Sequence, residues 1–500
     1  MALASPYEQL TQEFRRLNAF RGALSVLRWD AAVMMPPASA DVRGEQLAAL
    51  ETEYHAVLTA PKVARLIERA EASRGVLEDW QVANLREMKR QRDHAIATPP
   101  SLVARLARAC ATAEARWVAA REQHDFSILA PALDEVLQLM RDKAGLLGQA
   151  LGLDPYDALL DEFSPGLTRP EVDTLFQPLS HRLPALIQQT LDRQSLHPPL
   201  PLNGRFSPSK QRALCMDVMR TLGFPFDRGR LDECQQPFTE GVAGDVRVTT
   251  RFLPGDPFSG LLGALHETGH AMYDLGLPQA WRDQPVGWDR GMALEESQSL
   301  LLEQVIGRSR PFVRYLRPLL EKHYGVSGPE WSEDNLLAHL TRVQRGLVRV
   351  DADELTYPVH VMLRYELETR LLDGSLLVRD LPEAWDEGME HRLGRRPQDP
   401  VEGCLQDAHW ALGSFGYFPA YALGALIAAQ LGEQLREDVP DLDESVAAGR
   451  FGTLFEWLRQ NVHSLGASLP VDDLVERATG RALSAAPALR YLEAKYLGDG

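Results

Sequence analysis

Five hundred residues, 45% hydrophobic and 25% charged, can bury a large core; they describe a globular chain, not a disordered or fibrous one. The formal net charge of -17 argues against a nucleic-acid-binding or anionic-membrane-binding surface. The four cysteines (Cys110, Cys215, Cys234, Cys404) form no C-x-x-C pair and read as reduced, buried residues of a cytoplasmic protein.

The N-terminus, Met1 to Glu8, has neither a basic nor an apolar leader region, so no secretion signal is expected. Ser5-Pro6 offers an N-cap followed by a first helical residue, and the chain from there to residue 150 reads as successive helices. Trp29-Asp30 and Met34-Met35-Pro36-Pro37 read as a loop, with helices resuming at 39–57, 61–73, 76–95, 101–123 and 126–149. Residues 153–205 are rich in proline and read as an ordered connection of short helices, one of them beginning at Arg169-Pro170. Ser207-Pro208 opens a further helix. Between Pro237 and Pro254 the period changes. Phe238-Thr239-Glu240 and Asp245 to Phe252 flank Gly241 to Gly244, which predicts a β-hairpin. An extended strand beside a hydrolytic centre can align a peptide by backbone pairing.

The segment Phe258 to Gly276 has helical spacing, with Gly276 as a candidate cap and Pro278 barring continuation. It contains His266-Glu267-Thr268-Gly269-His270, the pattern H-E-x-x-H. Histidines four apart share one helix face and can ligate one zinc ion, with Glu267 placed to take a proton from water there. The flanking Leu261, Leu262, Leu265, Met272 and Leu275 are too apolar for a solvated helix. A zinc hydrolase usually has a third protein ligand, and Gly291 to Glu303 supplies two candidates, Glu295 and Glu296, in a second apolar helix. Spacing alone does not choose between them.

Beyond residue 310 the chain is again helical. The longest nearly apolar run, Ala420 to Leu431, is too short for a bilayer and predicts a core helix. Two polar clusters interrupt this region. In Val348 to Glu354, Arg349 and Asp353 are four apart and read as an ion pair on one helix. In Gly403 to Trp410, His409 reads either as a core histidine or as a functional one.

Five motifs, spanning residues 245 to 410, resemble those of the carboxypeptidase Taq metallocarboxypeptidases, in that family's order. Asp245-x-Arg247-x-Thr249 is similar to its D-x-R-x-T, and His266 to His270 to its H-E-x-x-H. Glu296-Ser297-Gln298 matches its E-S-Q, Val348-Arg349 with Ala352-Asp353 its I-R-x-x-A-D with Val348 for Ile, and Gly403 to Trp410 its G-x-x-Q-D-x-H-W. The resemblance implies a mainly α fold: a single large helical zincin-type domain, saddle-like, with a deep substrate groove and a small β-sheet beside the metal helix. Residues 1–500 would form that domain, 1–150 as a helical layer flanking the groove and 236–422 as the metal and substrate core. It implies a zinc-dependent carboxypeptidase of broad specificity, cytoplasmic and usually homodimeric, acting on peptides with a free C-terminal carboxylate. Zn2+, or alternatively Co2+, would be bound once per chain by His266, His270 and Glu296. Arg349 would hold the terminal carboxylate, with Gln406, His409, Tyr417 and Tyr421 lining the specificity end. Arg247 is a further substrate-binding candidate, with pairing to Asp245 as its structural alternative. One departure stands out: Glu295 occupies the place where the family usually has His, which bears on the surroundings of the metal. The competing readings are an endopeptidase or aminopeptidase on the same metal site, and a catalytically dead peptide-binding scaffold. Retention of Glu267 argues against the last.

Overall fold

In the computed structural model, residues 4–242 and 244–498 are described. Met1 to Leu3 of the expected leader-free N-terminus and Ala243 of the predicted hairpin turn lie outside them. The described residues form twenty α-helices and three strands. The N-terminal layer comprises α1 (Pro6–Val33), α2 (Ala40–Thr59), α3 (Pro61–Ala72) and α4 (Asp79–Ala97). Next come α5 (Pro100–Gln123), α6 (Ala130–Leu151), α7 (Pro155–Phe163), α8 (Arg169–Leu196) and α9 (Pro208–Leu222). The sheet follows as β1 (Gly229–Glu233), β2 (Thr239–Val242) and β3 (Asp245–Thr250), and then α10 (Ser259–Gly276) and α11 (Met292–Leu300). The remainder is α12 (Arg310–Tyr324), α13 (Glu333–Leu340), α14 (Tyr357–Asp373), α15 (Leu381–Leu393), α16 (Phe418–Asp438), α17 (Leu442–Ala447), α18 (Gly452–Asn461), α19 (Val471–Thr479) and α20 (Ala486–Leu497). No helix among these residues is long and apolar enough to cross a membrane.

Local signals account for most helix starts. Ser5 accepts the Glu8 N–H while the Glu8 carboxylate accepts that of Ser5, a reciprocal cap that satisfies two donors the helix leaves free. Ser207 caps α9 in one direction, its hydroxyl accepting the Lys210 N–H, with Pro208 as the first helical residue. Three expectations need correction. Trp29 and Asp30 lie within α1, not in a loop, because Trp29 is buried under two guanidiniums, Arg247 at 4.4 Å and Arg230 at 4.8 Å from a Trp29 ring centroid. The proline-rich stretch holds one short helix, α7, but the helix beginning at Arg169-Pro170 is not short: it is the 28-residue α8, which runs through Pro178 and Pro184. Its apolar face (Val172, Leu175, Phe176, Leu179, Leu183, Leu186, Ile187) is buried, which offsets the lost helical bonds. And α10 is capped by Leu277 rather than by Gly276, which is its last helical residue. A Cβ on Gly276 would lie 2.3 Å from Nδ1 of His463, so this glycine serves packing.

The predicted hairpin is present as β2 antiparallel to β3, with Thr239 opposite Val248 and Val242 opposite Asp245. The sheet has a third strand, β1, parallel to β3, in the order β1-β3-β2. Buried apolar side chains form one large cluster running from α5 to α20, and a smaller one confined to α1–α4. The metal-motif helix α10 lies in the large core, packed on β3, α9 and α11.

Candidate metal centre

Two glycines bring the candidate ligands together. A Cβ on Gly269 would lie 2.5 Å from Cα of Ser299, so α10 can approach α11 this closely only without a side chain there. On the other side of α11, a Cβ on Gly424 of α16 would lie 2.7 Å from Cβ of Glu296. The stem of Glu296 is thus held in a slot between two helices, with its carboxylate turned to the histidines.

His266, His270 and Glu296 each present one donor atom, all within 4.8 Å of one another. Glu296 Oε1 is 3.8 Å from His266 Nε2, and Oε2 is 3.8 Å from His270 Nε2. These separations exceed a hydrogen bond and suit donors sharing an ion with bonds of about 2 Å. Glu296 is 5% exposed, and no donor among the described residues hydrogen-bonds its carboxylate. A buried, unpaired carboxylate facing two imidazole nitrogens fits a divalent metal. The adjacent Glu295 points elsewhere: its Oε1 lies 3.7 Å from the opposite nitrogen of His270, Nδ1, which has no hydrogen-bond partner. Of the two candidate ligands it is therefore Glu296 that joins the cluster.

Glu267 is buried, and its Oε2 accepts a 2.8 Å hydrogen bond from the Thr239 hydroxyl at the start of β2. Burial pushes its carboxyl up to about 7, against the opposing effects of His266 and Thr239. Burial would lower His266, but the nearby carboxylates of Glu296, Glu303 and Glu267 raise it to about 10, so the residues present form a cation-seeking centre.

Three participants were not singled out from the sequence: Glu303, Arg308 and Thr239. Glu303 Oε2 lies 3.1 Å from His266 Nδ1, and Arg308 donates to Glu303 Oε1 at 2.5 Å. Glu303 sits in the π-helical turn Leu301–Ile306 that continues α11, seven residues after Glu296. That spacing, two helical turns on the same face, was the available signal. Thr239 carried no signal of its own.

A second cluster lies close enough for the charge of Arg349 to bear on Glu296. The expected Arg349–Asp353 pair is not formed. The chain breaks into a single 3₁₀ turn at Arg349–Asp351, and Asp353 instead accepts the N–H groups of Gln344, Leu355 and Thr356. Arg349 is 7% exposed and pairs with Asp407, donating from Nη2 at 2.8 Å and Nε at 3.1 Å to the same oxygen. Arg364, wholly buried, donates to the other oxygen at 2.6 Å. Burial disfavours the charge of Asp407, but the two arginines outweigh it and hold its carboxyl well below the usual range. Two cations on one anion leave this cluster with a net positive charge.

Gln406 is fully engaged by the protein. Its Oε1 accepts from the Arg349 N–H at 2.8 Å and from Arg364 at 2.7 Å, and its amide donates to the carbonyls of Leu347, Glu402 and Gly403. It supports Arg349 and offers no free group to a ligand. His409 stacks near Phe418, Tyr417 and Tyr421, and its Nε2 is 3.5 Å from the Tyr421 hydroxyl. Burial brings His409 down to about 4, so it is neutral at pH 7. Arg247 stands apart from this cluster: it is bidentate to Asp245 (3.0 and 2.8 Å) and stacked on Trp29, fastening the hairpin to α1.

Comparison with known proteins identifies the family. Residues 9–496 match the sequence profile of the family described as carboxypeptidase Taq (M32) metallopeptidase. The thermostable carboxypeptidase 1 of Thermus thermophilus is 36% identical, over 99% of both chains. Carboxypeptidase 1 of Bacillus subtilis is 32% identical, over 96% of both. The solved structure of Trypanosoma cruzi metallocarboxypeptidase 1 superposes with a TM-score of 0.96 at 38% identity, covering 98% of this chain and 99% of that one. The M32 carboxypeptidase from Deinococcus radiodurans gives 0.93 at 33%, covering 98% of each. The chain belongs to the carboxypeptidase Taq (M32) family of metallopeptidases, and it is a peptide hydrolase that cleaves C-terminal peptide bonds.

Proposed function

We propose that the chain is a zinc carboxypeptidase of broad specificity in which His266, His270 and Glu296 hold the metal, Glu267 is the general base and Arg349 captures the substrate's terminal carboxylate. A bound zinc ion, or cobalt in its place, would supply Lewis acidity towards water and the scissile carbonyl. Glu267 takes the proton from the attacking water and passes it to the leaving amine nitrogen. Arg349 fixes the chain end. A guanidinium presents a bidentate fork to a carboxylate, and the net positive charge shared with Arg364 and Asp407 leaves it able to take a second anion. Neutral His409 can donate a hydrogen bond near the reacting carbonyl, with Tyr417 and Tyr421 beside it. The aromatic wall formed by these residues and Phe418 carries no unpaired charge, which suits a site that discriminates weakly among C-terminal side chains.

The observation that carries this reading is that His266, His270 and Glu296 each present a donor atom within 4.8 Å of the others, with the buried Glu267 on the same helix as the two histidines. The single-domain organisation, with residues 1–150 flanking a groove around 236–422, and the homodimer belong to the same proposal; sedimentation tests the dimer. The test of function is release of the C-terminal amino acid from an N-acylated peptide, with and without chelator, beside Glu267→Gln. Release is expected to be chelator-sensitive, absent in the variant and absent on a C-terminally amidated peptide. Internal cleavage of the amidated peptide would instead mark an endopeptidase, and full activity of Glu267→Gln would remove Glu267 as the base.

A further inference from the structure

The carboxylate of a general base must point one oxygen at the reaction while the other is held. Among the described residues, a single side chain hydrogen-bonds the Glu267 carboxylate: Thr239, whose Oγ1 is 2.8 Å from Oε2 and 2.9 Å from the backbone oxygen of the same residue. Thr239 is the first residue of β2, an edge strand of the sheet. Its position is itself fixed. The buried Thr249 of β3 clasps the preceding residue, Phe238, with its hydroxyl accepting the Phe238 N–H at 2.8 Å and lying 2.9 Å from the Phe238 oxygen. The Thr249 N–H donates to that same oxygen at 3.0 Å.

From this geometry we infer that Thr239 is a positioning residue for the hydrolysis, acting through Glu267 and not on the substrate. The inference rests on the reading of Glu267 as the base. A hydroxyl has one proton and here has two acceptors. The hydroxyl donates to Oε2, and among the described residues Oε1 is left without a hydrogen bond. The proton taken from the attacking water enters on Oε1 and leaves from Oε1 to the amine nitrogen. By holding Oε2, this one side chain keeps Oε1 turned towards the reaction and the carboxyl from rotating away between the two proton transfers. The chain Thr249–Phe238–Thr239–Glu267 also gives the third residue of the Asp245-x-Arg247-x-Thr249 motif a mechanical link to the reaction.

The test uses Thr239→Val, nearly isosteric and strand-compatible, with Thr239→Ser and Glu267→Gln beside it, all loaded with zinc. Loss of a hydrogen bond to a charged group predicts that Thr239→Val lowers kcat by about 10- to 100-fold with KM unchanged. Zinc content and the rate of zinc release to a chelator are expected to match the parent, and Thr239→Ser to restore most of kcat. Parental kcat in Thr239→Val, a change confined to KM, or no rescue by serine would overturn the inference. If the valine methyl perturbs the site and zinc is lost, Thr239→Ala removes the hydroxyl without adding bulk. Low kcat at full zinc content then supports the inference, and zinc loss in both variants overturns it. Retained turnover in Glu267→Gln would strike the underlying reading instead, so the two failures are separable.

Discussion

His266 and His270 differ in what stands behind them. The outer nitrogen of His266 faces Glu303 at 3.1 Å, whereas that of His270 has only Glu295, at 3.7 Å. Burial would raise Glu303, but the Arg308 guanidinium and His266 outweigh it and hold its carboxyl at about 2. Glu303 is therefore a fixed anion at neutral pH. It selects the His266 tautomer whose Nε2 lone pair is free for the metal and makes that nitrogen a better donor. Glu303→Gln keeps the size and loses the charge, and the half-buried Arg308 is then left without its paired anion. The expected outcome is a zinc affinity lower by about 10- to 100-fold, read by competition with a chromophoric chelator. Affinity equal to the parent would mean that Glu303 serves only as the partner of Arg308.

At the scale of elements, the contact between the N-terminal layer and the rest runs through charges. Asp161 of α7 accepts from Arg90 and His94 of α4 at 3.2 and 2.7 Å, and from the Gly166 N–H at 2.8 Å. Burial would raise its carboxyl, but these partners bring it down to about 2. A folded-state value below the ordinary 3.8 contributes stability that is present above 3.8 and lost as pH falls towards 2. That lowering corresponds to about 2 kcal/mol. Asp161→Asn is thus expected to be less stable than the parent by about 2 kcal/mol in denaturant titrations at pH 6, with the difference shrinking as pH is lowered below 4. A difference independent of pH would show that side-chain shape, not charge, makes the joint. Elements also mark what could be read from sequence. The helix α10 was legible because its apolar spacing, the two histidines and Glu267 all lie within one short segment, and the hairpin because β2 and β3 are adjacent in the chain. The strand β1 was not, since parallel pairing with β3 is made across an intervening strand and leaves no local alternation. The partner of Arg349 was misread for the same reason: a local rule favours Asp353, four residues on, whereas the tertiary fold supplies Asp407, 58 residues away. Trp29 escaped because its burial depends on Arg230 and Arg247, far along the chain.

On the scale of the whole molecule, the metal should act as a fastener of the entire chain. Its proposed ligands come from α10 and α11, and α16 clamps one of them through Gly424. The smaller apolar core in α1–α4 holds only twelve buried residues, too few to sustain a layer of this length alone. It must therefore unfold with the large core it rests on, which it meets through Trp29 under the arginines of the sheet and through Asn84 on Gln284. Zinc at a thousand times its dissociation constant stabilises the folded state by about 4 kcal/mol. With an unfolding entropy of about 2 cal/mol/K per residue, a 500-residue cooperative unit would rise in Tm by only about 4 °C. Scanning calorimetry of the chelated and zinc-loaded protein is expected to give one transition in each case, displaced upward by that small amount. Two transitions, of which only the larger moved with zinc, would show that the N-terminal layer is a separate unit and that residues 1–500 do not form one domain.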